Sequence, residues 1–148
     1  MYEVILDACV WVDILVGKRP RHEKACRLYR ELRERQYVIK GPMTLYFEII
    51  SALRHEREKP CVEGTPMYKS DVRGIDEIEF LALPIDEKFV EKYASLDLPR
   101  IRGDSIYLAM AKVDQLDFIT EDARNLKVAT EFGVRAFKID EFFIRWQV

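Results

Sequence analysis

Histidine and cysteine are scarce in this chain, with two and three copies respectively among 148 residues. The cysteines, Cys9, Cys26 and Cys61, form no Cys-x-x-Cys pair. An odd number at irregular spacing excludes both a disulfide framework and a zinc ribbon. They are expected to be small, half-buried thiols of a reducing compartment. His22 and His55 lack a partner at metal-ligand spacing, so no imidazole-based metal site is expected. Neither a glycine-rich phosphate loop nor a Gly-x-Ser-x-Gly nucleophile motif occurs. Long apolar runs are also missing. The longest, Val4 to Val16, is broken by Asp7 and Asp13 and is too short to span a bilayer. The start, Met-Tyr-Glu, lacks the basic residues of a signal peptide, so a cytoplasmic location without membrane attachment is expected. Charge of one sign is not in excess: 24 basic residues face 26 acidic ones. That balance weighs against a general nucleic-acid binder with a basic face. Only three Gln and one Asn stand beside abundant Glu, Lys and Arg, a composition of the thermophilic kind.

What is present describes a folded chain. Hydrophobic residues make up 49% and charged residues 34%, which is globular and far from disordered. The length suits one domain over residues 1–148, with no repeat or low-complexity stretch.

Apolar patterning predicts strands alternating with helices. Val4-Ile5-Leu6 reads as a strand buried on both faces and ends at Asp7. A short helix follows from Cys9 to Leu15, then a charged one from His22 to Gln36 with Ala25, Leu28, Tyr29 and Leu32 on one stripe. Tyr37 to Ile39 is a second strand, and Gly41-Pro42 is expected to break the chain before a helix from about Met43 to Glu58. Residues Lys59 to Gly74 read as a loop. Further strands are expected at Ile78 to Leu83, Phe118 to Thr120 and Val134 to Ile139. Helices should run from Asp86 to about Leu96, from Asp104 through Val113, from Asp122 to Phe132, and after Asp140. Such alternation predicts a three-layer α/β/α domain with a central, mostly parallel sheet of about five strands.

Four acids stand where their surroundings do not call for them. Asp7 closes an apolar strand, and ligands of open α/β sheets bind outside those carboxyl ends. Asp122 follows Thr120 in a comparable place. Asp104 stands at a helix start, where the macrodipole favours an anion. Glu48 sits among Phe47, Ile49 and Ile50. Taken singly, Asp104 and Asp122 read equally well as ordinary N-caps, and Glu48 as a surface residue. Asp7 is harder to explain without a partner, because buried carboxylates are paired or liganded. If the acids converge, two charges about 4 Å apart repel by roughly 4 kcal/mol at an effective dielectric of 20. Such a cluster persists by binding protons or cations, and an all-oxygen set favours Mg²⁺ or Mn²⁺.

At these residues the chain resembles the PIN domain family, and within it the VapC-type toxins of toxin–antitoxin pairs. The resemblance rests on Val4-Ile5-Leu6-Asp7 through Leu15, on Leu45-Tyr46-Phe47-Glu48, on Gly103-Asp104-Ser105-Ile106-Tyr107, and on Phe118-Ile119-Thr120-Glu121-Asp122. It implies that Asp7, Glu48, Asp104 and Asp122 hold the metal ions and that the Thr120 hydroxyl supports the site. Asn125 is a further candidate for a polar contact, and Glu121 leaves open which neighbour faces the site. Cys9 departs from the family, where a small hydroxyl or amide residue is commoner. The implied activity is hydrolysis of RNA, leaving a 5′-phosphate and a 3′-hydroxyl. A homodimer and a small antitoxin that blocks the site are implied partners.

Other acids, Asp13, Asp114 and Asp117, are expected to face solvent, and the Trp11, Tyr46 and Tyr107 rings to be core. A phosphatase-like reading would need a second Asp two positions after Asp7, where Cys9 stands. Two further functions fit the same residues: a PIN-like RNA- or protein-binding module without catalysis, and an RNA-processing nuclease that is not a toxin.

Overall fold

The computed structural model describes residues 2–58, 79–97 and 105–147. Among these, five strands and seven helices follow one another. They are β1 (Glu3–Leu6), α1 (Ala8–Leu15), α2 (His22–Glu34), β2 (Val38–Pro42), α3 (Leu45–Glu58) and β3 (Leu81–Leu83). Then come α4 (Glu87–Ala94), α5 (Ser105–Asp114), β4 (Asp117–Ile119), α6 (Ala123–Glu131), β5 (Ala136–Phe137) and α7 (Ile139–Arg145). The strands form one sheet in the order β3-β2-β1-β4-β5, and every pairing is parallel.

Sequence dictates which strand takes the centre. Val4, Ile5 and Leu6 carry no polar atom outside the backbone, and all three are fully buried, so β1 needs cover on both faces. Helices supply it. The α1 helix packs on α2 and on α3, α4 packs on α5, α5 lies against β2 and β4, and α7 rests on α2 and β5. The largest fully buried rings, Trp11, Tyr107, Phe118 and Phe142, join these layers. Each such side chain contributes roughly 1.5–3 kcal/mol by leaving water.

Strand order determines where a ligand can sit. From β1 the chain moves outward to β2 and β3, then returns to place β4 on the other flank of β1. The loops leaving β1 and β4 therefore diverge and open a crevice at their carboxyl ends. Register makes those ends level. Leu6 pairs with Ile119, and Asp7 N donates to Ile119 O at 2.9 Å. Asp7 and Thr120 are thus lateral neighbours at the rim.

Several expectations need correction. Gly41-Pro42 does not break the chain but ends β2, paired with Ala82 and Leu83. Gly41 is required by space: a Cβ would meet Leu45 Cδ2 at 2.8 Å and the Phe80 ring at 3.2 Å. The last strand is shorter than its apolar run, and β4 keeps its expected length but is shifted by one residue, ending at Ile119 before Thr120. Lys138, not Asp140, precedes the final helix. Its N–H donates to Glu141 Oε2 at 2.9 Å, while Asp140 pairs with Lys24. Gly133 ends α6 with φ +75°, as a glycine stop should. The expected loop 59–74, Cys61 and Asp104 lie outside the described residues. Among the described residues no helix is long and apolar enough to cross a membrane.

Candidate functional site

Asp7 is only 4% exposed, although its carboxylate has left the apolar strand. Burying a charge costs several kcal/mol unless hydrogen bonds replace the lost water. Two side chains do so on the same oxygen. Thr120 Oγ1 donates to Asp7 Oδ2 at 2.6 Å, and Asn125 Nδ2 donates to it at 3.1 Å. Thr120 is fully buried and Asn125 nearly so. Both donors are neutral, so they orient Asp7 without cancelling its charge.

The same threonine positions the next acid. Asp122 N donates to Thr120 Oγ1 at 3.1 Å, and Asp122 Oδ1 accepts from Asn125 N at 3.0 Å. Asp122 is therefore the N-cap of α6, exposed at the crevice. Its ordinary capping role and its place beside Asp7 are the same geometry, because the cap closes the turn that carries Asn125 back to Asp7. Glu121 turns away. Its Oε1 accepts from Ile139 N at 3.1 Å, at the start of α7. Of the two neighbours, Asp122 is the one that shares Thr120 and Asn125 with Asp7.

Cys9 lies against this network, with Sγ 3.8 Å from Thr120 Oγ1. Burial, and then the nearby Asp7 charge, push its thiol up from 9.0 to about 12. It is a protonated neighbour of the site near neutral pH, not a nucleophile.

Glu48 is half-buried on α3 and accepts a short hydrogen bond from the Tyr107 hydroxyl on α5. Tyr107 is otherwise core, stacked on Phe118 at 6.2 Å. Asp104 directly precedes Ser105, the first residue of this α5 helix, and is outside the described residues. The structure thus joins Asp7, Thr120, Asn125 and Asp122 in one network, and Glu48 with Tyr107 in another. Among the described residues no three His, Cys, Asp or Glu side chains are grouped as a metal site. The chemistry of the donors nevertheless suits a hard divalent ion: carboxylates oriented by hydroxyl and amide groups.

Two more residues take part, Asn125, a candidate from the sequence, and Tyr107, expected only as core. Asn125 is the only Asn in the chain and follows Asp122 by about one helical turn, which is a usable signal. Tyr107 carried no signal beyond its place one turn past Asp104. The expectation that Asp13 and Asp117 face solvent is wrong. Asp13 is fully buried between Arg19 and Arg21, at 2.6 and 2.8 Å. Asp117 is 8% exposed, between Arg135 and Arg145 at 2.9 and 2.7 Å. Asp114 is exposed, as expected. Trp11 and Tyr107 are core, whereas Tyr46 is 38% exposed against Phe80. His22 contacts the Asp13 backbone carbonyl, and His55 is exposed.

Known proteins share this fold. The chain is similar to the crystal structure of FitAcB from Neisseria gonorrhoeae, with a TM-score of 0.57 and 17% identity. The likeness covers 92% of this chain and 97% of that one. A FitAB structure bound to a DNA fragment is similar to the same degree, with a TM-score of 0.57, 18% identity and coverage of 92% and 94%. These likenesses concern the fold. No curated protein matches the sequence. The PIN domain model matches residues 4–131, a span that contains Asp7, Glu48, Thr120 and Asp122. By that match and by its parallel sheet, the chain belongs to the PIN domain family.

Proposed function

We propose that this protein is a Mg²⁺- or Mn²⁺-dependent endoribonuclease and the toxin of an antitoxin-controlled pair. The observation that carries this reading is the buried Asp7 carboxylate, held by Thr120 and Asn125 at the crevice between β1 and β4. Asp7, Glu48, Asp104 and Asp122 would hold the ions. Such ions, when bound, activate water and stabilise the leaving oxygen of a phosphodiester. The chain's own part is orientation. Thr120 and Asn125 aim Asp7, Tyr107 aims Glu48, and the α6 cap fixes Asp122 through Oδ1. Metal-site partners of this kind change affinity or activity by about 10–100-fold when removed.

The family supports nuclease chemistry, and the similar FitAB structures support a protein partner, since each holds more than one component. The partner expected here is a small antitoxin covering the crevice, and the active form a homodimer. To test the assignment, Asp7→Asn and Asp104→Asn are assayed on single-stranded RNA with Mg²⁺ or Mn²⁺. Both should lose cleavage; undiminished activity in both removes the mechanism. A Mn²⁺ titration followed by thermal melting separates a nuclease from a metal-free binding module, because only a metal binder gains stability.

A further inference from the structure

The α1 helix ends at Leu15, so the carbonyls of its last turn lack helical donors. Two side chains of α2 answer them. His22 Nδ1 lies 3.0 Å from Asp13 O, and Cys26 Sγ donates to Ile14 O at 3.5 Å. Capping of this kind accounts for both contacts with α1. The meeting of the two side chains needs a further account.

His22 opens α2 and Cys26 stands one turn on, at the spacing that puts two side chains on one helix face. Sequence inspection gave His22 no ligand partner; the helix gives it one, with Cys26 Sγ 3.7 Å from Nε2. A carbonyl only accepts, so Nδ1 carries the hydrogen facing Asp13 O, and in the neutral ring the lone pair is on Nε2. Metal-bound imidazoles are commonly held in this way, by a backbone carbonyl on the far nitrogen. The thiol has a single hydrogen, which cannot serve both Ile14 O and the ring. A cation in its place would serve all three atoms.

The spacing suits such an ion. With a metal–sulfur distance of about 2.3 Å and a metal–nitrogen distance of about 2.0–2.1 Å, tetrahedral ligand atoms stand roughly 3.5 Å apart. The Sγ–Nε2 and Sγ–Ile14 O separations, 3.7 and 3.5 Å, lie close to that edge. There is room as well. At Gly17 a Cβ would lie 3.9 Å from Nε2 and, among the described residues, meet no other atom within 4 Å. The negative end of the α1 dipole also favours a cation here.

We propose that His22 Nε2 and Cys26 Sγ, with the Ile14 carbonyl, form a Zn²⁺ site at the junction of α1 and α2, its coordination completed by water. On binding, the thiol releases its proton to solvent and Sγ becomes a thiolate ligand. Sulfur and imidazole nitrogen select this class of ion, whereas the carboxylates of the crevice suit Mg²⁺ or Mn²⁺. Asp7 precedes α1 and Ile14 stands near its end, so the two places are roughly 10 Å apart along the helix. The Zn²⁺ site does not depend on the nuclease reading. Bound there, the ion clamps the first turns of α2 to the last turn of α1.

The test uses the full chain, reduced, with excess Mg²⁺ to occupy the carboxylates and Co²⁺ as a spectroscopic stand-in for Zn²⁺. Co²⁺ should produce a near-ultraviolet thiolate-to-cobalt charge-transfer band, which carboxylates cannot give, and Zn²⁺ should displace it. Cys26→Ser keeps a hydroxyl donor for Ile14 O and should abolish the band. His22→Asn keeps an amide donor for Asp13 O and should weaken the Co²⁺ affinity read from the band at least about tenfold, the least that even outer partners of a metal contribute. Zn²⁺ at about 100 times Kd should raise the melting temperature of the parent by about 5–10 °C and leave both variants unmoved. Should either variant melt early without metal, Cys26→Ala or His22→Gln takes its place. No band in the parent, a band that survives Cys26→Ser, equal Co²⁺ affinity in the parent and His22→Asn, or an equal Zn²⁺ melting shift in the parent and both variants overturns the assignment. A parent that fails these tests yet cleaves RNA with Mg²⁺ loses only this site.

Discussion

Asp7 and Asp13 lie six residues apart, and both are buried, yet the protein treats them differently. Around Asp7 the donors are a hydroxyl and an amide; around Asp13 they are two guanidinium groups. Asp117 follows the second pattern, with Arg135 and Arg145. It opens β4 while Thr120 follows the end of the same strand, so the two patterns lie roughly 10 Å apart at opposite ends of one strand. The difference lies in charge. An arginine pair neutralises a buried acid and ties elements together, whereas a hydroxyl and an amide aim it without themselves supplying a counter-charge. Burial alone does not separate a structural acid from a functional one; the nature of the donors does.

The contrast can be broken most sharply at Asp7. Asp7→Asn should reduce metal-dependent RNA cleavage by at least about 100-fold, more than the loss of a supporting group. Its melting temperature without metal should stay level or rise, because the exchange removes a buried charge. A large drop in melting temperature there would place Asp7 in the structural class. Asp13→Asn should do the reverse. Breaking a buried pair costs about 3–5 kcal/mol, but its arginines are partly exposed, so about 2–3 kcal/mol is expected. At roughly 2–4 °C per kcal/mol, scanning calorimetry should read a melting temperature about 5–10 °C lower.

Thr120→Val and Asn125→Ala test the neutral donors. Each should lower Mn²⁺ affinity or cleavage by about 10–100-fold, measured by titration calorimetry and RNA cleavage. No change in either variant would show that Asp7 is aimed by something else. The smallest effect concerns Cys9. Its folded-state thiol is raised from 9.0 to about 12, so the folded form keeps a proton that the unfolded chain releases. The resulting stability is complete below pH 9 and is lost as pH rises through about 12. Denaturant melts of the wild type and Cys9→Ala should therefore run parallel up to pH 9 and converge or cross above it, by roughly 1 kcal/mol per pH unit.

Much of the fold was legible because it depends on patterns that act locally. Alternating apolar runs, Asp86 and Asp122 before their helices, and Gly133 after one describe most elements to within a few residues. The errors fall where neighbours override local preference. Gly41-Pro42 reads as a break until β3 pairs with it. Val134 to Ile139 reads as one strand, but only Ala136–Phe137 has a strand beside it. Asp13 and Asp117 read as surface acids because their arginines stand outside the helical or strand period that sequence inspection follows.

Sequence alone determined the alternation of elements, the all-oxygen character of the candidate site, and the position of its acids at strand ends and helix starts. These follow from residue type and local spacing. Tertiary structure decided which donors meet each acid: Thr120 and Asn125 at Asp7, Tyr107 at Glu48, arginine pairs at Asp13 and Asp117. Those contacts span up to 118 residues and arise only when the sheet returns to place β4 beside β1. No local pattern encodes that meeting, because its energy comes from packing the whole sheet.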